Sequence, residues 1–145
     1  MAAAEQNYSN HVQRVPGFLA LGVVVLLTFI GSLVNLYKSW GDHARLYNAA
    51  LIVVLTGCLF AVAGYARTFA LKAQDRAIRA EENLRHYAMT GKLLDPRLTN
   101  GQIIALRFAS DSEYLDLVRR AADENLAPDA IKRAVKNWRA DYHRA

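Results

Sequence analysis

The stretch GYARTFALKAQDRAIRAEENLRHYA, Gly64 to Ala88, carries an apolar run into a charged one with no proline or glycine cluster between them. Small and apolar residues recur at Ala63, Ala66, Ala70, Ala73, Ala77, Ala80, Leu84 and Tyr87, in alternating steps of three and four. That is the repeat of a heptad seam. The spacing predicts one helix from about Leu46 to about Met89, some 66 Å long at about 1.5 Å per residue. Two acid-before-base pairs, Asp75 with Arg79 and Glu81 with Arg85, have the better i,i+4 orientation, each adding a few tenths of a kcal/mol. Alanine, glutamate and arginine are themselves good helix formers.

Upstream, the chain holds no charged residue from Val15 to Tyr37 and none from Leu46 to Ala66. Each run meets the roughly 20 residues needed to span a hydrocarbon core. The first is longer than the apolar region of a signal peptide, and SLVNLYKSWGDHA, which follows its apolar centre, offers no small-x-small cleavage site. It reads as a retained helix. Two helices apolar on all sides would need a larger soluble protein around them, and the rest of this 145-residue chain is mostly amphipathic. The short connection KSWGDHAR, Lys38 to Arg45, makes the pair a hairpin with both termini on one side.

Basic residues orient the hairpin. The connection holds Lys38 and Arg45, whereas the terminal side holds Arg14, Arg67, Lys72, Arg76, Arg79 and Arg85. The positive-inside rule therefore predicts cytoplasmic termini and a periplasmic loop. Arg14, Arg67 and Lys72 are expected at lipid headgroups on the cytoplasmic side, and Trp40, with Tyr37 and Tyr47, at the opposite interface. From Arg67 onward, 15 Lys and Arg face 11 Asp and Glu, which supplies most of the net charge of +5. Because these charges interleave with acids, they suit anionic lipid better than nucleic acid, which calls for a concentrated basic stripe.

The small residues need a close partner. Gly57 and Ala61 form a small-xxx-small pair in the second span, and Gly22, Gly31 and Ser32 offer small surfaces on the first, so the membrane part is expected to pack on itself. The cytoplasmic part of the seam has no such companion and must pack on the C-terminal helices, on another copy or on a different protein. Cys58, in apolar surroundings, is expected to be a small packing residue rather than a reactive thiol.

Gly91 and Pro96 supply the stop signal for the long helix. Three short helices follow. LTNGQIIALRFAS opens with a capping box of Thr99 and Gln102 and carries Ile103, Ile104, Leu106 and Phe108. SDSEYLDLVRRAADEN opens with Ser110 and Glu113 and carries Tyr114, Leu115, Leu117, Val118, Ala121 and Ala122. APDAIKRAVKNWRADYHRA starts near Pro128 and turns Ile131, Ala134, Val135 and Trp138 to one face. So small a bundle is marginal alone and is expected to lean on the long helix or on a partner.

The expected fold is thus an all-α membrane protein. Its segments are an N-terminal piece 1–14, a first span 15–37, a loop 38–45, a second span continuing as a cytoplasmic helix 46–89, and a helical tail 90–145. No catalytic, cofactor-binding or metal-binding residue is expected. The histidines His11, His43, His86 and His143 are scattered, with no second ligand at a metal-site spacing. No phosphate-cradling loop or nucleophile motif is present. Asp141 and His143 alternate in a short tail and are expected to be solvated. The uncharged polar residues of the spans, Thr28, Ser32, Asn35 and Thr56, are not the ionisable groups that mark ion paths.

EQNYSNH from Glu5, SLVNLYKSW from Ser32, YARTFALKAQDRAIRAEENLR from Tyr65, IIALRFASDSE from Ile103 and IKRAVKNWRADYHR from Ile131 together resemble an uncharacterised bacterial family of small two-span membrane proteins, a domain of unknown function. The resemblance covers nearly the whole chain and implies a bacterial inner-membrane protein with a cytoplasmic helical tail. It brings no activity and no functional residues. The favoured expectation is a non-enzymatic structural or accessory subunit that assembles through its long helix and tail, as a homo-oligomer or with other membrane-complex subunits. Its packing residues would be Gly57, Ala61 and the seam. A small oligomeric pore or remodelling protein, and a tethered module that binds lipid or a soluble partner, are the alternatives.

Overall fold

The computed structural model describes residues 6–12 and 15–141. Arg14 and His143 lie outside the described residues. Five helices follow one another: α1 Pro16–Lys38, α2 His43–Thr90, α3 Asn100–Leu106, α4 Asp111–Asp123 and α5 Pro128–Ala134. Among the described residues there is no strand, only a single antiparallel bridge between Ala109 and Trp138. The chain divides into two compact units, Arg14–Ala70 and Met1–Gln13 with Leu71–Ala145, the division falling within α2.

In Arg14–Ala70, α1 opens with Pro16 in its first turn after an extended Val15, where the ring's fixed φ suits a helix and its missing N–H is not needed. The connection is tighter than the expected 38–45. Gly41 takes φ +99°, open to a residue without Cβ. The Asp42 carboxylate accepts the Arg45 N–H at 3.2 Å, and its carbonyl accepts the Leu46 N–H at 2.8 Å. Asp42 is an N-cap, so α2 starts at His43 instead of Leu46. The helices meet through a buried Ser32–Thr56 hydroxyl pair at 3.2 Å. At Gly57 an added Cβ would stand 3.6 Å from the Phe29 ring.

Most of the apolar surface of this hairpin is uncovered. Leu27, Val54, Leu55 and Val62 are 61–68% exposed, and only 11% of each apolar window is buried. Both helices are long and apolar enough to cross a membrane. A helix in a soluble core would have buried those side chains.

In the second unit α2 stops at Thr90, where Gly91 adopts φ +71° and donates its N–H to the Tyr87 carbonyl at 2.7 Å. This left-handed cap is the stop signal read at that glycine. The capping box of α3 forms in full: Gln102 N–H reaches Thr99 Oγ1, and the Gln102 side chain accepts the Thr99 N–H at 2.8 Å. At Gly101 a Cβ would lie 3.1 Å from Pro128, so the bare backbone lets α5 close onto α3.

The expected box on α4 does not form. Ser110 makes no side-chain cap. The Glu113 carboxylate instead accepts the N–H groups of Lys136 and Asn137, at 3.1 and 2.9 Å. That recruitment also explains why α5 ends at Ala134 and does not run on to Trp138: Val135 is extended, and the tail crosses back to Phe108. There Arg139 donates to the Phe108 carbonyl at 2.7 Å and Ser110 to that of Asn137 at 3.0 Å. The apolar stripes of the three helices do converge. Ile103, Leu106, Phe108, Tyr114 and Ile131 are fully buried.

Candidate functional site

Two surfaces of α2 within the second unit have different fates. Ile78 and Glu82 are buried and Leu71, Gln74, Asp75, Arg85 and His86 half-buried, whereas Ala73, Ala77, Ala80, Leu84 and Tyr87 are exposed. At about 100° per residue the means of the two sets lie roughly 160° apart. The C-terminal helices therefore take one face of α2, and the heptad seam is the other.

The occupied face is closed by a charged clamp. Glu82 is 3% exposed. Arg85 donates to its carboxylate at 3.2 Å, to Asp111 at 2.9 Å and to the Ala109 carbonyl at 2.8 Å. The guanidinium also lies 4.0 Å from the Tyr114 ring centre. The Tyr114 hydroxyl donates to the Glu82 carbonyl at 3.2 Å, and Arg139 approaches the second Glu82 oxygen at 3.6 Å. Burial, reinforced by the Glu82 charge, pushes the Tyr114 hydroxyl far above the ordinary phenol range. The hydrogen bond from Arg85 holds Asp111 below the usual carboxylate range. Two acids and two guanidiniums satisfy one another here, so the cluster fastens α4 and the tail to α2. The sequence pairing of Glu81 with Arg85 gives way to Glu82 and Asp111.

A second fastening uses segment 6–12. Gln6, 6% exposed, accepts the Asp141 N–H at 2.7 Å and donates to the Asp141 carbonyl at 3.3 Å. His11 packs edge-on to Phe108, with ring centres 5.6 Å apart, and lies 5.9 Å from Trp138. Its Nε2 faces Lys132 Nζ at 3.1 Å while Nδ1 meets the Tyr8 carbonyl at 2.7 Å. Asp141 is not solvated as expected but pairs with buried Arg107 at 2.7 Å.

The sequence-derived packing residues divide accordingly. Gly57 and Ala63 are half-buried within the hairpin, whereas Ala61, Ala66 and Ala70 are exposed, as are the seam residues from Ala73 to Tyr87. Cys58 is exposed on the hairpin and does not pack inside it. Trp40, 81% exposed, and Lys72 stand free of the chain's interior, and Arg67 is half-buried with its guanidinium 5.8 Å from the Phe18 ring. Sequence reasoning missed Glu82, Arg85, Tyr114 and Gln6. The available signal was Glu82, an acid on the helix face away from the seam and three positions before Arg85. Among the described residues, no group of three or more His, Cys, Asp or Glu could hold a metal ion.

No curated protein and no solved structure matches this chain. A family match covers residues 1–145 in full. The chain, with its apolar hairpin and clamped helical unit, belongs to DUF6526, a family of unknown function.

Proposed function

We propose that this protein is a non-enzymatic integral membrane subunit of a bacterial inner membrane, with both termini cytoplasmic, that assembles with a second copy or a larger membrane complex along the open face of α2. The observation that carries the reading is the exposure of Ala73, Ala77, Ala80, Leu84 and Tyr87 opposite the face that the C-terminal helices occupy. A heptad repeat on a helix is an arrangement for packing against another helix. Alanines in that repeat allow close backbone approach but bury little area each, so the larger Leu84 and Tyr87, 68% and 54% exposed, would contribute most to the contact. Six Lys and Arg flank the spans on the terminal side against two in the connection, which favours the cytoplasmic placement of this unit.

The test is the mass and protein content of the particle recovered when the tagged protein is gently extracted from its own cell. Self-assembly gives a multiple of the chain mass, and docking into a complex gives defined further subunits. Ala77→Glu, which places a charge in the middle of the seam, is expected to reduce the particle to single chains while leaving the hairpin in the membrane. A monodisperse single chain from the unaltered protein, with nothing accompanying it, would defeat the reading.

A further inference from the structure

The helices of the hairpin touch at one level and part at another. They are in contact at Ser32 with Thr56 and at Phe29 with Gly57. Towards Pro16 they open into a cleft of about 300 Å³, with an almost wholly apolar lining that includes Phe18, Gly22, Val25, Phe60, Ala63 and Gly64. Two of its lining residues are glycines, Gly22 on α1 and Gly64 on α2, at each of which an added Cβ would meet nothing within 4 Å. Arg67 lies outside the lining but next to it, its guanidinium 5.8 Å from the centre of the Phe18 ring, which lines the cleft. Arg67 is the first charge after the second apolar run, and Val15 begins the first run. The open end of the cleft is therefore at the level where hydrocarbon meets headgroups.

We propose that this cleft binds one anionic phospholipid, with an acyl chain between α1 and α2 and the phosphate on Arg67. The inference rests on the reading that the two helices cross a membrane. A void lined by apolar atoms offers water no hydrogen-bond partners and forfeits dispersion contacts if left empty. An acyl chain restores them. The lining residues Phe18 to Val25 advance about 10 Å along α1 at about 1.5 Å per residue, which is the upper part of one leaflet of a hydrocarbon core about 30 Å thick. The volume lies at the lower end of ligand pockets, about 300 to 1,000 Å³, which suits one chain. Arginine's fork matches phosphate oxygens. A zwitterionic headgroup brings its own cation to its phosphate, whereas an anionic one leaves that charge to Arg67, and this sets the preference.

The test is native mass spectrometry of the full-length protein in mild detergent, titrated with phosphatidylglycerol or with phosphatidylcholine of the same chains. One phosphatidylglycerol per chain is expected, held about tenfold or more tightly than phosphatidylcholine, the scale of a charge-assisted hydrogen bond. Arg67→Gln is expected to bring phosphatidylglycerol down to the phosphatidylcholine level. Gly22→Leu, which fills the cleft without meeting a neighbour at its Cβ, is expected to abolish retention of both, and Gly64→Leu does the same from the opposite wall. Equal retention of the two lipids by the unaltered protein, or undiminished phosphatidylglycerol on Arg67→Gln, overturns the site. Alkaline carbonate extraction separates the two levels of the reasoning. A protein released from vesicles sinks the membrane reading, whereas one that stays inserted yet shows no headgroup preference sinks the lipid site alone.

Discussion

Arg85→Met tests whether the clamp holds the C-terminal helices to α2. The side chains of Arg85 and Glu82 are 11% and 4% exposed, so the pair is almost fully withdrawn from water. Removing the guanidinium strands the Glu82 carboxylate and frees the Ala109 carbonyl and Asp111. Breaking a buried pair from one side costs about 3–5 kcal/mol. Arg139, 3.6 Å from the other Glu82 oxygen, still compensates part of that charge, so we expect the lower end, about 3 kcal/mol. Glu82→Leu alone should cost about half as much, since Arg85 keeps Asp111 and the Ala109 carbonyl. The double variant leaves no buried charge unpaired and should be no worse than Arg85→Met, giving a coupling of at least about 1.5 kcal/mol. The assay is denaturant unfolding of the full chain in detergent, followed by Trp138 fluorescence in a Trp40→Phe background. Trp138 reports on this unit because its ring centre lies 4.8 Å from that of Phe108. A cost below about 1 kcal/mol for Arg85→Met, or additivity of the two changes within about 0.5 kcal/mol, would refute the clamp.

Thr99→Ala removes one half of the α3 capping box and should cost about 1 kcal/mol, whereas Gln102→Leu, which also loses the 2.9 Å bond to the Leu126 carbonyl, should cost about 2 kcal/mol by the same unfolding measurement. Asp111 is held below its ordinary range by Arg85; a depressed carboxylate stabilises the fold above its unfolded pKa, about 3.9, and that contribution is lost as pH falls through the folded value. Asp111→Asn should accordingly flatten the loss of stability below about pH 4, and acid limbs of equal slope would count against the pairing. Trp138→Ala should lower the hydrogen-exchange protection of the Ser110 and Arg139 amides, which bond to the Asn137 and Phe108 carbonyls, and expose segment 6–12 to protease. Unchanged protection would mean that the tail is held without its aromatic contact.

What could be read from the chain was whatever leaves a periodic or local trace. Two charge-free runs foretold two apolar helices, the heptad spacing carried the second past Ala66, and Gly91 with Thr99 and Gln102 marked where elements stop and start. All are effects of neighbours within a few positions, the range over which helix geometry and capping act. Glu113 shows where such reading fails. Its place three residues after Ser110 satisfies a local rule, yet it caps the tail at Lys136 and Asn137 because that route satisfies two backbone donors that α5 abandons. Asp42 is a local N-cap signal of the same kind as Thr99, and it places the start of α2 at His43, three residues ahead of the charge-free run that begins at Leu46.

Within the clamp only Glu82 and Arg85 stand at a helical spacing; the remaining partners of the two fastenings come from separate stretches. Tyr114 and Glu82 are 32 positions apart, and Gln6 meets Asp141 across 135. No spacing rule reaches so far. The seam shows the converse: its spacing was plain, but spacing alone could not say which face of α2 the C-terminal helices would choose. They took the face with Glu82 and Arg85, where the ion pairs with Asp111 and between these two residues lie, and left Ala73, Ala77 and Ala80 exposed. Dividing the two tasks between opposite faces leaves the alanine side exposed in the folded chain, where the proposed assembly contact would form.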